Sequence, residues 1–255
     1  MPRAPKKPSR KSPAVAAPSG ATPRAIIENV QPGIDAGRFA AKRTQGEIVR
    51  VEADVFADGH DKVAADLLYR HAGLRRDGAS DAPWTRVPMT LVDNDRWAAE
   101  FRVDELGFYE FTVDAWVDAF ATWRDGLSKK FGAGQDVDLE LREGAGWLRQ
   151  KAEGRKLKTF ADRIDGPGDA AARVAAALSS GLADAVRADE RMRHGVARDA
   201  RTLAVMVERE RARFGAWYEM FPRSAGPDPT RSATFDEAAE RLPAIAAMGF
   251  DIVYL

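Results

Sequence analysis

The hydrophobic period of this chain changes twice, and no other feature limits its possible folds as much. From Glu47 to Val117 apolar residues recur at every second position. From Phe120 to about Met192 they recur every third or fourth, and at Leu203 the two-residue spacing returns. A period of two puts alternate side chains on one face of a strand, and a period near 3.6 puts them on one face of a helix. The chain is therefore expected to run from strands to helices and back to a strand.

The first strand region is explicit. Val49, Val51, Ala53 and Val55 alternate with Arg50, Glu52 and Asp54, and Asp58-Gly59-His60-Asp61 follows as a turn. Ala65, Leu67 and Tyr69 form the next alternation, closed by a loop at Asp77-Gly78 and Ser80-Asp81. Trp84 to Leu91 reads as one extended segment, which Pro88 assigns to a sheet edge. Asp93-Asn94-Asp95 is a turn before Trp97, Ala99, Phe101 and Val103, and Gly107 precedes Tyr109, Phe111, Val113, Ala115 and Val117. Short strands with turn signals at this spacing predict an antiparallel β-sandwich. Its rings at Trp84, Trp97, Tyr109 and Trp116 are candidates for stacking on sugars. Ordinary packing in a sheet is the favoured reading of all four.

The helical region supplies Phe120, Trp123, Leu127 and Phe131, then Val137, Leu141, Ala145 and Leu148, then Leu157, Phe160 and Ile164 before Gly166-Pro167-Gly168. Ala170 to Ser179 is alanine-rich, and Leu182, Val186 and Met192 continue the pattern. Four or so helices with short connections predict an antiparallel bundle. Thr202 to Glu208 then alternates like a strand, and a lone strand leaves its backbone polar groups unpaired. Its expected partner is the sandwich left at Asp118, which makes the helices an insertion.

Charge and composition exclude several function classes. Six of the 39 basic residues lie in the first 27, before any acid, which leaves 33 against 39 acids in the rest. A body of that sign is a poor match for a nucleic-acid backbone, so no nucleic-acid partner is expected. Residues 1–24, with Pro2, Pro5, Pro8, Pro13, Pro18 and Pro23, are read as a disordered basic tail and a solubilising extension. The apolar run from Ala14 to Ala17 is too short for a secretory signal, so a cytoplasmic location is expected. Cysteine is absent, and His60, His71 and His194 do not cluster, so neither a thiol nucleophile nor a metal site is expected. No apolar stretch reaches the ~18 residues of a membrane span, so no membrane partner is expected.

The last segment carries a different pattern. Gly215 to Phe221 reads as a short strand stopped by Pro222. Thr234 and Glu237 form a capping box ahead of Ala238, Leu242, Ile245 and Met248, with Pro243 expected to kink that helix or break its first turn and Gly249 to end it. Asp251 to Leu255 reads as a second strand. Strand, helix, strand is one βα unit and the start of the next.

The stretches "RARFGAWYEMFPRS" and "FDEAAERLPAIAAMGFDIVYL" resemble the first strand, first helix and second strand of an α-amylase-superfamily barrel. Together with "TWRDGLSKKFGAGQDV" upstream they resemble the maltosyltransferase family that extends α-1,4-glucan from α-maltose 1-phosphate. The resemblance covers roughly Arg24 to Leu255. It implies a multidomain chain: residues 1–24 as tail, 25–118 plus 202–212 as an antiparallel β-sandwich, 119–201 as an inserted α-helical bundle, and 213–255 as the truncated start of a (β/α)8 barrel. It also implies a homodimer, no cofactor, and α-maltose 1-phosphate and α-1,4-glucan as the parent enzyme's substrates.

A complete barrel takes about 250 residues, of which this chain offers about 40. Retaining chemistry at a glycosidic carbon needs two carboxyl groups roughly 5 Å apart. In the superfamily these follow later barrel strands, so the chain alone is expected to be inactive. Glu219 and Asp251 do not match the catalytic motifs, Arg223 is read as a structural loop residue, and no site residue is carried over. The alternatives are a non-catalytic glucan-binding or dimerisation module, or a branching or debranching enzyme of the same superfamily.

Overall fold

The computed structural model describes residues 22–74, 80–151 and 155–255. Residues 1–21 of the basic tail and the expected Asp77-Gly78 turn lie outside them. The chain begins with β1 (Ile26–Gln31) and β2 (Ala41–Thr44). It continues through β3 (Ile48–Phe56), β4 (Val63–Gly73), β5 (Thr85–Pro88), β6 (Thr90–Asp93), β7 (Arg96–Arg102) and β8 (Gly107–Val117). Helices α1 (Ala119–Gly132), α2 (Asp138–Lys151), α3 (Arg155–Asp165), α4 (Ala170–Ala177) and α5 (Ser180–Ala188) follow. Then come β9 (Ala197–Arg198), β10 (Leu203–Glu208), β11 (Trp217–Glu219), α6 (Phe235–Ala239), α7 (Leu242–Ala247) and β12 (Ile252–Tyr254).

Two sheets pack face to face. One has the order β1-β3-β7-β6, and the other β2-β10-β8-β4-β5, with β9 also paired to β8. Their shared core takes Val49, Val51 and Val55 from β3, Phe101 from β7, Leu67 from β4, Phe111 and Val113 from β8, and Val205 from β10. These are the residues that the two-residue period marks. Gly107 starts β8 at φ +114, where an added Cβ would lie 2.4 Å from the Gly73 carbonyl oxygen, so only glycine allows the two strands to meet this closely.

Two sheet expectations need correction. The segment Trp84 to Leu91 is not one strand. The chain crosses at buried Met89 from β5, an edge of one sheet, to β6, an edge of the other. The second sheet is also not wholly antiparallel. β10 runs antiparallel to β8 but parallel to β2, with Val205 opposite Ala41 and Val207 opposite Arg43. β10 does join the sheet left at Asp118, between β8 and β2. Its parallel partner has almost no hydrophobic period, which is why β2 is not visible in the sequence.

The five helices share a second apolar cluster that includes Leu127, Leu141, Leu148, Leu157, Ile164, Val174 and Leu182. The Asp118 carboxylate caps α1 by accepting from Ala121 N at 2.9 Å, and Ser179 caps α5. The backbone N–H of Lys62 donates to Thr122 Oγ1 at 2.8 Å and ties α1 to the start of β4. Among the described residues no helix is long and apolar enough to cross a membrane.

Beyond Arg213 the described residues form no barrel. β11 and β12 are a two-stranded parallel pair, with α6 and α7 between them in sequence. The expected strand from Gly215 to Phe221 shortens to three residues. Of the expected kink or break, the helix shows a break at Glu240 and Arg241, because Pro243 lacks an N–H and its ring crowds the carbonyl four residues back. The Thr234–Glu237 capping box is formed.

Candidate functional site

In an antiparallel sheet with one solvated face, the polar members of the alternation point to water. Here they do not. Asp66 on β4 and Thr112, Asp114 and Trp116 on β8 share the face turned away from the sandwich core, and all four are buried. The segment from α1 through β9 covers this face. Asp66 and Asp114 sit opposite each other in the β4–β8 register, only 3% and 1% exposed. Two buried carboxylates side by side repel unless cations neutralise them. Arg86 of β5 bridges them, with Nη1 at 2.9 Å from Asp66 Oδ2 and Nη2 at 3.2 Å from Asp114 Oδ2. Arg198 of β9 donates to both Asp114 oxygens at 2.6 and 2.8 Å, and this pairing raises its guanidinium above the usual value. Arg193 Nε lies 3.4 Å from Asp66 Oδ2. The network thus joins the sheet to the chain that returns from the helices.

Beside the network, where β4 and β8 meet α1, α5 and the 189–193 turn, is a cavity of about 340 Å³. Trp97, Trp116 and Phe120 form its aromatic wall, and Arg124, Arg187 and Arg193 its cationic one. The Arg193 guanidinium carbon lies 5.4 Å from the Trp116 ring centroid, and that of Arg124 lies 5.4 Å from the Phe120 centroid. Arg124 donates from Nη2 to the Leu178 carbonyl, and burial lowers its guanidinium below the usual value, with Asp118 acting the other way. Arg193 Nη2 donates to the Arg187 carbonyl at 3.1 Å. Trp97 Nε1, Arg124 Nε and Arg193 Nη1 are buried without a hydrogen-bond partner. Such an unmade bond costs about 1–3 kcal/mol per group.

Of the four ring candidates the structure brings Trp97 and Trp116 together at this cavity. Tyr109 is a core residue whose hydroxyl accepts from Asp104 N and Glu105 N at 3.2 and 3.1 Å. Trp84 lies under the Arg70 guanidinium, 4.3 Å from ring centroid to Cζ. Glu219 ends β11 on the surface, and Asp251 pairs with Arg211 at 3.1 Å. Arg223 sits over the Phe221 ring at 5.9 Å. Among the described residues no three His, Cys, Asp or Glu side chains are placed to hold a metal. Arg124, Arg193 and the Asp66–Asp114 pair carry no spacing signal in the sequence. Only the strand register and the return of the chain bring them to one place.

Residues 23–209 match the family model described as alpha-1,4-glucan:maltose-1-phosphate maltosyltransferase, domain N/S. The chain is similar to the alpha-1,4-glucan:maltose-1-phosphate maltosyltransferase of Chlorobaculum tepidum, 44% identical over 237 residues, covering 91% of this chain and 34% of that protein. The enzyme of that name from Myxococcus xanthus is 42% identical over 239 residues, covering 90% of this chain and 35% of that protein. One from Streptomyces coelicolor is 42% identical over 240 residues, covering 91% and 34%. The chain spans about a third of the length of the curated relatives it matches.

Proposed function

The chain belongs to the alpha-1,4-glucan:maltose-1-phosphate maltosyltransferase family, and on that footing we propose that it serves as the N-terminal part of such an enzyme. The whole enzyme moves maltosyl units from α-maltose 1-phosphate to the non-reducing end of an α-1,4-glucan and releases phosphate. The observation that carries this reading is the family match over residues 23–209, with 44% identity over 237 residues to one relative.

The reaction is a double displacement with retention. A carboxylate attacks the anomeric carbon as the C–O bond to phosphate breaks, leaving a β-maltosyl ester. A glucan 4-hydroxyl then attacks that carbon, loses its proton to a second carboxylate and frees the first. In this reading neither carboxylate lies in residues 1–255, and the chain contributes architecture. Residues 25–118 with 202–212 are the sandwich, 119–201 an inserted helical bundle, and 213–255 the opening of the catalytic (β/α)8 barrel. The separate apolar clusters of the sheets and the helices favour that division. The enzyme works in the cytoplasm as a homodimer, and exposed Phe131 and Leu139 on the helices offer apolar area to a second copy.

The test is phosphate release from α-maltose 1-phosphate with a maltooligosaccharide acceptor. The 255-residue chain is expected to show no turnover. A chimera in which residues 24–255 replace the matching stretch of the Chlorobaculum tepidum relative is expected to be active. A folded chimera without turnover, or activity of the 255 residues alone, overturns the assignment.

A further inference from the structure

The cavity between the sheet and the helices is not explained by packing. Among the described residues, the buried side-chain polar atoms without a hydrogen-bond partner are Trp97 Nε1, Arg124 Nε and Arg193 Nη1. All three side chains line this one cavity. The nearest carboxylate to Arg193 Nη1 is Glu190 at 3.7 Å, beyond hydrogen-bond reach. All three atoms are N–H donors, so the group that completes them carries oxygen acceptors. Two belong to guanidinium groups, whose planar fork suits phosphate and carboxylate.

The charges select further. Arg124, Arg187 and Arg193 line the cavity against Asp66 and Asp118. Asp66 is already held by Arg86 and Arg193, Arg193 also pairs with Glu190 at 3.7 Å, and the Asp118 carboxylate caps α1, so the cationic charge left over is that of Arg124 and Arg187. A neutral sugar would need an open ring face. Arg193 already takes one face of Trp116 and Arg124 one face of Phe120. At about 340 Å³ the cavity is at the small end of ligand sites, which run from ~300 Å³.

We propose that this cavity binds a phosphate group, carried on a small sugar or free, whose oxygens accept from Arg124, Arg193 and Trp97. A phosphate dianion brings three terminal oxygens to three donors and neutralises the surplus charge. The three donor atoms are shut off from the open space in this structure, so binding turns the side chains to present them, with the Asp66–Asp114 network fixing the sheet behind them. The site lies within the sandwich and helices and does not depend on the transferase reading.

The test uses the 255-residue chain, with inorganic phosphate, α-glucose 1-phosphate and maltose as separate probes. Binding is followed by calorimetry and by the tryptophan indole signals in a ¹H–¹⁵N spectrum, with Trp97→Phe identifying the Trp97 signal. Both phosphate probes are expected to bind and move that signal downfield, and maltose to do neither. Tighter binding of α-glucose 1-phosphate assigns a sugar phosphate, and equal binding assigns free phosphate. Arg193→Gln, folded by circular dichroism, is expected to weaken binding at least about tenfold. Trp97→Phe removes an unpartnered donor together with part of a ring that packs on the sandwich core, so its melting temperature is expected to fall modestly while the chain stays folded by circular dichroism and affinity falls several-fold. The proposal is overturned if neither phosphate probe moves the Trp97 signal, if maltose binds as well as they do, or if folded Arg193→Gln and Trp97→Phe both bind like the parent chain.

Discussion

Asp114 shows how far a single buried carboxylate reaches. It holds Arg198 through two bonds and shares Arg86 with Asp66, all within a covered sheet face. Replacing it by asparagine leaves Arg198 without its charge partner and Arg86 with Asp66 alone. Breaking a buried pair from one side costs about 3–5 kcal/mol. Asp114→Asn is therefore expected to lower stability by about 3 kcal/mol in a urea titration, and a loss below about 1 kcal/mol would mean that water already reaches the network. Glu237 is the opposite case, a half-buried carboxylate near the surface held by local bonds. Arg231 and the Thr234 backbone N–H bring its pKa from the usual 4.5 to about 2. Because the folded value is depressed, its contribution is full above about pH 4.5 and is lost as pH falls toward about 2. An NMR titration of the Glu237 side chain is expected to find its midpoint near 2, moving up in Arg231→Gln.

At the scale of elements, α2 contains two glycines for which the same substitution has opposite signs. A Cβ at Gly144 would lie 2.0 Å from Cζ2 of Trp123 on α1, whose Nε1 is bonded to the Glu140 carbonyl at 2.9 Å. The ring cannot retreat without giving up that bond, and overpacking costs about 1–3 kcal/mol, more than the ~1 kcal/mol of helix propensity that alanine gains. Gly146, two residues on, is exposed and a Cβ there meets nothing within 4 Å. Gly144→Ala is expected to lower the melting temperature and Gly146→Ala to raise it. Equal shifts would mean that α1 and α2 do not pack at this distance. The helical period predicts α2, but it cannot say which of its small residues faces a neighbouring ring.

For the whole molecule, the division of the core predicts what can be removed. Past Arg213 the buried hydrophobic residues are Ala225, Ala238 and Ile245 among those described, while Phe214, Trp217, Phe221 and Phe235 are exposed. A chain ended after Arg213 keeps both apolar clusters and the Arg213 bonds to Thr44 and Glu47. It is expected to unfold cooperatively at a temperature within a few degrees of the full chain. Light scattering of this shorter chain over a concentration series is expected to give a dimer, with an interface of at least about 1,000 Å². A folded monomer at tens of micromolar would move the contact elsewhere. The sequence by itself determined where strands and helices lie and which faces are apolar, because periodicity is local: β3, β7, β8 and β10, the helical apolar residues and the Thr234–Glu237 box all follow from neighbours a few positions apart. The parallel pairing of β10 with β2, the crossing at Met89, the covering of Asp66 and Asp114, and the meeting of Trp97 and Trp116 with Arg124 and Arg193 were decided only in the tertiary structure. Each depends on residues tens of positions apart, as when Asp114 meets Arg198 84 residues later, and a period carries no information about what will cover a strand's polar face.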